Sequence, residues 1–205
     1  WMVREHPAVR FERYVDDVVV HAATRLHAER LRSAIEARMV EVGLQLHPDK
    51  TRIVYCKDNN RRGNHEHTSF TFLGYTFRTR TARDRHGNKF PSFLPAVSRE
   101  ALVTMGRQVR RWRLHHRVGA TLDGLAREIN PIVRGWMQYY GRFYKSALYP
   151  LLYRINTYLM RWARKKYRTL RGFKKAKSWW NTVTTRYPRG FAHWAWTRGF
   201  LPTGW

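Results

Sequence analysis

The amino-acid sequence predicts an α+β fold in which short strands precede a bundle of helices. Runs rich in β-branched and aromatic residues at 11–15, 18–23 and 69–80 favour strands. From residue 98 onward, apolar residues recur every three or four positions, which is the spacing of helices packed on a core. Hydrophobic residues make up 43% of the 205 residues, enough to form such a core.

The first two predicted strands meet at a pair of adjacent carboxylates, Asp16 and Asp17, within the stretch "RYVDDVVV". A two-residue hairpin turn usually takes Asn-Gly or Asp-Gly, because its backbone adopts positive φ angles. Asp-Asp is therefore poor turn chemistry, and a broken local rule often marks a functional site. Two carboxylates at a hairpin tip could hold divalent metal ions, and a solvated turn is the alternative.

The segment after these strands is predicted to be an amphipathic helix. Thr24 is a suitable N-cap, Gly43 is a suitable stop, and apolar residues recur at helical spacing between them. Residues 44–55 are expected to be extended around a Pro-Asp turn, and the polar residues 57–68 are expected to form a loop.

The run "SFTFLGYTFRTR" at 69–80 predicts a strand in which Gly74 marks a bulge or a close backbone approach. The turn-rich segment 81–98 is predicted to be a loop and the boundary between two domains. Helices are then expected to begin after Ser98 and near Thr121. Asn130–Pro131 predicts a cap that restarts a helix, because Pro is favourable at the first helical position. A last helix is expected near Pro150.

Charge is the dominant feature of the composition, with 40 Lys and Arg residues against 14 Asp and Glu residues. Residues 1–96 hold 17 basic and 11 acidic residues, a net charge of +6, whereas residues 97–205 hold 23 and 3, a net charge of +20. No carboxylate side chain follows Glu128. Such a field attracts a polyanion, so nucleic acid is the expected partner, and a membrane surface is the weaker alternative.

Tryptophan residues are concentrated in the same basic half of the chain. Eight of the nine lie from Trp112 onward, where they are interleaved with Arg. Their rings could stack on bases or pack helices together, and core packing is favoured at helical positions. There is no run of about 18 apolar residues, so no transmembrane helix is expected. The single cysteine, Cys56, fits a reducing compartment.

Several motifs occur in a characteristic order: "RYVDDVVV", "GLQLHPDKTRIVYCKD", "SFTFLGYTF", "INPIVRGWMQYYGRF" and "FAHW". In this order they resemble the C-terminal part of a bacterial group II intron reverse transcriptase/maturase. The resemblance implies a partial reverse-transcriptase palm followed by an all-α thumb and maturase bundle. It implies a palm portion at 1–96, a helical thumb and maturase-specific region at 97–170, and a basic aromatic C-terminal segment at 171–205.

The resemblance also implies roles for individual residues. Asp16 would be the principal ligand and Asp17 a supporting ligand of a two-metal Mg²⁺ site, with Tyr14 beside them. Lys50 would lie near the incoming nucleotide and neutralise or protonate the departing pyrophosphate. The segment Phe72–Tyr75, which contains Phe72, Leu73, Gly74 and Tyr75, would be the primer grip.

Nucleic-acid contacts are expected from Tyr14 and from a large set of cations in the second half of the chain. These are Arg107, Arg110, Arg111, Arg113, Arg134, Arg161, Arg164, Lys165, Lys166, Arg168, Lys174, Lys175 and Lys177. The family would use such a surface against intron RNA, template–primer duplex and a DNA target, in the bacterial cytoplasm and without a membrane.

A complete palm of this family needs another metal-binding carboxylate upstream of the "YVDD" hairpin. The acids at Glu5 and Glu12 do not stand in a matching context. We therefore expect an N-terminal segment or a second chain to supply fingers and that carboxylate, and the fragment alone to be inactive. The alternatives are a non-catalytic RNA-binding module, or a subunit or domesticated fragment within a larger ribonucleoprotein.

Overall fold

A computed structural model of the protein describes residues 1–61 and 63–200. In this part of the chain, two small antiparallel sheets and six α-helices confirm the α+β prediction. The chain forms two compact units. The first consists of Trp1–Phe72 and Arg78–Phe93, and the second consists of Leu73–Phe77 and the chain from Leu94 onward.

The first unit begins with a short helix, α1 (Met2–Glu5), and a hairpin of β1 (Phe11–Tyr14) and β2 (Asp17–Val20). The hairpin is antiparallel, with Phe11 opposite Val20 and Tyr14 opposite Asp17. Helix α2 (Arg25–Glu41) follows as predicted, and the Thr24 hydroxyl accepts a hydrogen bond from the His27 amide. Among the described residues of this unit, only Leu31 is buried.

Residues 44–68 form no strand in the described chain, although the sequence predicted an extended segment there. One backbone hydrogen bond, from the Tyr55 amide to the His67 carbonyl, joins the two ends of the loop. A single bond of this kind does not make a ladder, so the segment stays irregular.

Two of the predictions for residues 69–98 are wrong. The run at 69–80 is a hairpin of β3 (Ser69–Phe72) and β4 (Tyr75–Arg83), and Gly74 lies in its turn rather than in a bulge. The predicted loop at 81–98 contains strand β5 (Lys89–Val97), which pairs with β4 in the order β3-β4-β5. Pro91 and Pro95 obscured this strand in the sequence, and β5 tolerates them because it lies at the sheet edge.

The second unit is built on four long helices, α3 (Arg99–Arg111), α4 (Leu122–Tyr140), α5 (Tyr149–Lys166) and α6 (Phe173–Arg186). Helices α3 and α4 begin with the N-caps Ser98 and Thr121, whose hydroxyls accept amide hydrogen bonds. Helix α5 packs against α3 and α6 and carries the largest buried face.

Short 3₁₀ turns connect the helices of this unit at Leu114–His116, Lys145–Leu148 and Arg168–Leu170. A fourth 3₁₀ turn, Ala192–Ala195, follows α6.

The core of the second unit is rich in aromatic side chains, which confirms the preference for core packing. Trp162, Trp180, Phe191 and Trp194 are all at most 2% exposed. Their indole nitrogens find partners, since Trp162 donates to the Arg117 carbonyl and Trp180 donates to the Arg198 carbonyl. Burying the apolar ring while satisfying the N–H group is what makes Trp stable in a core.

Asn130–Pro131 does not restart a helix, contrary to the prediction, because α4 runs through both residues without a break. The Asn130 side chain instead donates to the Gly190 carbonyl and accepts from the Ala192 amide. An interior Pro costs a helix roughly 3 kcal/mol. Buried side chains on the same helix, including Ile129 and Val133 at 0% exposure, offset that cost.

Candidate metal and nucleic-acid site

The carboxylate pair lies at the exposed tip of the β1–β2 hairpin. Val15 and Asp16 form the two-residue turn, and Asp17 is the first residue of β2, so both carboxylates are exposed. Val15 has φ +55°, a left-handed conformation that a β-branched side chain rarely adopts. The Arg13 guanidinium donates to the Val15 carbonyl at 3.0 Å and braces the turn. The structure therefore holds Val15 in a strained conformation between Tyr14 and the two carboxylates.

The donor set at this tip suits a hard divalent cation. Mg²⁺ commonly binds one or two protein carboxylates and completes its octahedron with waters and substrate phosphates. Asp16 and Asp17 could provide those two groups. In the part of the chain that the structure describes, no cluster of three or more His, Cys, Asp or Glu side chains forms a metal site. The residues therefore fit Mg²⁺ only together with oxygen ligands from elsewhere.

Lys50, the other predicted catalytic residue, lies in a turn that a hydrogen bond from the Thr51 amide to the His47 carbonyl closes. Its side chain is exposed, and no ion pair or hydrogen bond engages it in the described chain.

The predicted primer grip is a tight hairpin turn. Phe72 ends β3, Tyr75 begins β4, and Leu73 and Gly74 between them have φ +51° and +75°. Positive φ at both central residues is the pattern of a type I′ turn, for which glycine is the natural residue. A Cβ on Gly74 would lie 2.9 Å from the Tyr140 hydroxyl, so the Tyr140 side chain approaches this glycine closely. A close approach of the backbone to a primer stays a prediction.

Aromatic residues at the end of α4 hold this turn from one side. The Tyr139 hydroxyl donates to the Leu73 carbonyl at 2.9 Å, and the Tyr75 hydroxyl donates to the Tyr139 carbonyl. The Ser98 amide donates to the Gly74 carbonyl at 2.8 Å. Burial raises the pKa of the Tyr75 hydroxyl, which keeps it protonated as a donor. Sequence reasoning missed this bracing, although the "YYG" at a predicted helix end was a usable signal.

Most of the predicted nucleic-acid contacts are exposed. Eleven of the thirteen cations are exposed: Arg107, Arg110, Arg111, Arg113, Arg134, Arg161, Lys165, Arg168, Lys174, Lys175 and Lys177. Tyr14 is also exposed, at 58%. These side chains can reach a phosphate backbone without being uncovered first.

The two half-buried cations, Arg164 and Lys166, already have partners within the protein. Arg164 donates twice to the Arg171 carbonyl, and Lys166 donates to the carbonyls of Val118 and Ala120, each at 2.8 Å. Both cations thus tie backbone carbonyls of neighbouring segments to α5. A structural role thus accompanies the predicted contact with nucleic acid at these two positions.

The two adjacent histidines that follow α3 differ from each other. His116 is exposed, whereas His115 is half-buried and its ring stacks on Tyr158 with centroids 5.4 Å apart. Burial, followed by the charges of His116, Lys165 and Arg161, lowers the pKa of His115. His115 is therefore neutral near pH 7, and it adds no positive charge to the surface.

Two stretches of the chain match known protein families. Residues 2–77 match the model of the reverse transcriptase (RNA-dependent DNA polymerase) family. This match contains the hairpin carboxylates, so this part of the chain is of the reverse-transcriptase class. Residues 102–181 match the model of the group II intron maturase-specific domain. The two matches in this order place the chain in the group II intron reverse transcriptase/maturase family, as the motif order predicted.

No curated protein matches the chain. Within the described residues, no helix is both long enough and apolar enough to cross a lipid bilayer.

Proposed function

We propose that this chain serves RNA-directed DNA synthesis and intron RNA binding in a group II intron reverse transcriptase/maturase. In this proposal, residues 1–96 are part of the polymerase palm, residues 97–170 are the thumb and maturase-specific helices, and residues 171–205 are a basic extension. The observation that carries it is the pair of exposed carboxylates at a strained hairpin tip, within the stretch that matches a reverse transcriptase.

Asp16 and Asp17 would hold Mg²⁺ in this proposal. A bound ion at that position would supply charge stabilisation for the attacking and leaving oxygens of nucleotidyl transfer. The Lys50 ammonium would stand near the leaving pyrophosphate and neutralise it or donate a proton. The Leu73–Gly74 turn would present its backbone to the primer strand, with its position set by Tyr139.

A further carboxylate and the fingers would come from an N-terminal segment or from a second chain. Two observations support this expectation. No third metal ligand joins Asp16 and Asp17 in the described chain. The first unit also leaves large apolar side chains uncovered, including Leu26 at 58% and Val40 at 67% exposure. Only Leu31 is buried among the described residues of this unit, so the unit has little core of its own, as expected of part of a larger domain.

The polymerase proposal is tested by primer extension on an RNA template. The chain alone is expected to extend no primer, and the chain joined to the remaining palm and fingers is expected to extend it. In that assembly, Asp16→Asn should reduce extension to background while RNA affinity stays within about twofold. Extension by residues 1–205 alone, lost in Asp16→Ala, would instead mean that the metal site is complete within this chain.

The second candidate function is that of a non-catalytic RNA-binding module, and the cationic second half favours it. Eleven of the thirteen predicted contacts are exposed, and no carboxylate side chain follows Glu128, so this half presents a surface suited to phosphate. In addition, Lys174 and Lys175 lie in the first turn of α6, where the helix dipole disfavours cations and a bound phosphate would compensate. If Asp16→Asn leaves the biological activity of the whole assembly unchanged while Lys165→Ala weakens RNA binding, this function is the correct one.

A further inference from the structure

An open cavity of about 340 Å³ lies between the second half of α4 and the 3₁₀ turn Ala192–Ala195. Met137 and Gln138 line it from α4, and Ala192, Ala195 and Trp196 line it from the turn. Most of this lining is apolar, although residues 97–205 carry a net charge of +20. The cavity lies partly outside residues 102–181, which match the maturase-specific domain. The function proposed above gives it no role.

The Trp196 ring that lines the cavity is held in position. A Cβ on Gly141 would overlap this ring, so the indole lies directly against the backbone at the end of α4. The Lys145 ammonium lies 5.1 Å from the ring centroid, a cation–π distance. The ring also packs against the hydrophobic core. Trp196 is therefore a rigid aromatic surface, as stacking on a planar ligand requires.

Two guanidinium groups border the cavity, those of Arg134 on α4 and Arg189 before the 3₁₀ turn. Both side chains are exposed, and neither makes an ion pair or a hydrogen bond within the described chain. The carboxylates of the second half are few, and Glu128 and Asp123 are already paired with Arg117 and Arg127. The lining of the cavity thus combines apolar and aromatic side chains with two unpaired positive charges.

We propose that this cavity binds one unpaired nucleotide of the RNA that the second unit contacts, an inference that rests on the RNA-binding function proposed above. The base enters the cavity beside Trp196 and Met137, and the Gln138 amide can donate to and accept from the base edge. Arg134 and Arg189 bind the flanking phosphates. Sequence-specific RNA recognition commonly uses such extruded bases, stacked on aromatic rings.

RNA is favoured over a free small anion because the whole of the surrounding half is cationic. Residues 97–205 carry a net charge of +20, which concentrates a polyanion near the cavity. A single phosphate would use the two arginines and leave the apolar cavity empty. A nucleotide uses both parts of the site, since it joins a planar base to a phosphate.

The test compares two labelled RNA hairpins that differ only at one bulged position. One carries a bulged adenosine, and the other carries an abasic ribose there, so the phosphate charge is the same. Fluorescence anisotropy with the full chain should give about 10-fold tighter binding of the base-bearing RNA, within the range of base–aromatic stacking. Ala195→Leu, which fills the cavity without changing charge, should reduce this ratio to about 1 and leave affinity for the abasic RNA unchanged.

Two further variants separate the cavity from general electrostatics. Trp196→Leu should also reduce the ratio to about 1, because it removes the stacking surface. Lys177→Gln, at an exposed position on α6, should weaken binding of both RNAs equally and keep the ratio. Thermal melting of each variant checks that the fold is retained.

The outcomes distinguish this inference from the function it rests on. Equal binding of the two RNAs by the unmodified chain overturns the nucleotide site but leaves RNA binding intact. A ratio that survives Ala195→Leu also overturns it, because the base then binds elsewhere. Absence of binding to either RNA overturns the proposed RNA-binding function itself.

Discussion

Tyr139 and Leu73 lie 66 residues apart in the sequence, and the Tyr139 hydroxyl donates a hydrogen bond to the Leu73 carbonyl at 2.9 Å. The Tyr75 hydroxyl donates in return to the Tyr139 carbonyl. These reciprocal bonds join the Leu73–Gly74 turn to the last residues of α4. Helix α4 lies within residues 102–181, which match the maturase-specific domain. A helix of that stretch thus positions the proposed primer grip.

Removing the Tyr139 hydroxyl tests this connection directly. Tyr139→Phe should lower the free energy of unfolding by about 1 kcal/mol, because the Leu73 carbonyl loses its partner. Tyr140→Phe is the matched control, since the Tyr140 hydroxyl makes no hydrogen bond in the described chain, and it should change stability by less than about 0.5 kcal/mol. Urea unfolding followed by circular dichroism measures both. Equal losses for the two variants would contradict the assigned role of Tyr139.

Gly74 is expected to be intolerant of a side chain for two separable reasons. Its φ of +75° costs an L residue roughly 1–2 kcal/mol, and a Cβ would also press on the Tyr140 hydroxyl. Gly74→Ala should therefore be destabilising, and less so in a Tyr140→Phe background that lacks the clashing oxygen. A double-mutant cycle of unfolding free energies measures the difference.

Gly135 provides the opposite control within the same unit. It lies in α4, and a Cβ there would meet no atom within 4 Å. Gly135→Ala should raise the free energy of unfolding by about 0.5–1 kcal/mol, as expected in an open helix interior. If Gly74→Ala were equally stabilising, the left-handed turn described for Leu73–Gly74 would be incorrect.

Lys165 and Lys166 are adjacent at the end of α5 but should behave differently. Lys166→Met removes the donor to the Val118 and Ala120 carbonyls and should lower the free energy of unfolding by about 1–2 kcal/mol. Lys165→Met, at an exposed side chain, should change stability by less than about 0.5 kcal/mol. It should reduce RNA affinity and lower the salt slope by about 1. If Lys165→Met lowered stability and Lys166→Met left it unchanged, the structural role of Lys166 would be refuted.

Stability should fall as the pH is lowered below about 6.5, because His193 is fully buried. Burial lowers its pKa to about 3, and its Nε2 lies 2.6 Å from the Asn156 side-chain oxygen. Below pH 6.5 the unfolded chain binds a proton at this residue and the folded chain does not. The stabilisation that neutral His193 provides is therefore fully present above its pKa in the unfolded chain. It is lost toward pH 3, at about 1.4 kcal/mol of unfolding free energy per pH unit.

Urea unfolding between pH 5 and pH 8 measures this dependence. From pH 6.5 to pH 5, the His193 contribution should lower the free energy of unfolding by about 2 kcal/mol. His193→Asn should be less stable at pH 7 but should show a weaker decline below it. In this variant the unfolding free energy should still fall slightly with decreasing pH, because burial also lowers the pKa of His115. An unchanged slope in the variant would show that His193 does not cause the loss.

Patterns that are local in the sequence predicted much of this molecule. The caps Thr24 and Ser98 are confirmed, since each hydroxyl accepts an amide hydrogen bond. The predicted helix start near Thr121 is also confirmed, and Thr121 is its N-cap. The motif order predicted the family, and the two family matches confirm it. The roles of Asp16, Asp17 and Lys50 stay predictions.

The errors at Asn130–Pro131 and at β5 have different physical causes. Asn130–Pro131 reads as a helix start, yet the Gly190 carbonyl and the Ala192 amide bind the Asn130 side chain within a continuous helix. Pro91 and Pro95 read as a loop, yet they lie in an edge strand. The partners of Asn130 lie 60 and 62 residues along the chain, so no window of local sequence contains them. Strand β5 instead pairs with the adjacent strand β4, and the Asp84–Asn88 turn between them was a local signal that the prolines obscured.

The sequence by itself determined the charge, the helix starts at Thr24, Ser98 and Thr121, the carboxylate pair and the family, because each depends on composition or short-range order. Only the tertiary structure decided that Tyr139 braces the Leu73–Gly74 turn, that Lys166 binds two backbone carbonyls, and that a cavity forms beside Trp196. These features depend on which side chains packing brings together, since hydrogen bonds and stacking act over only a few ångströms.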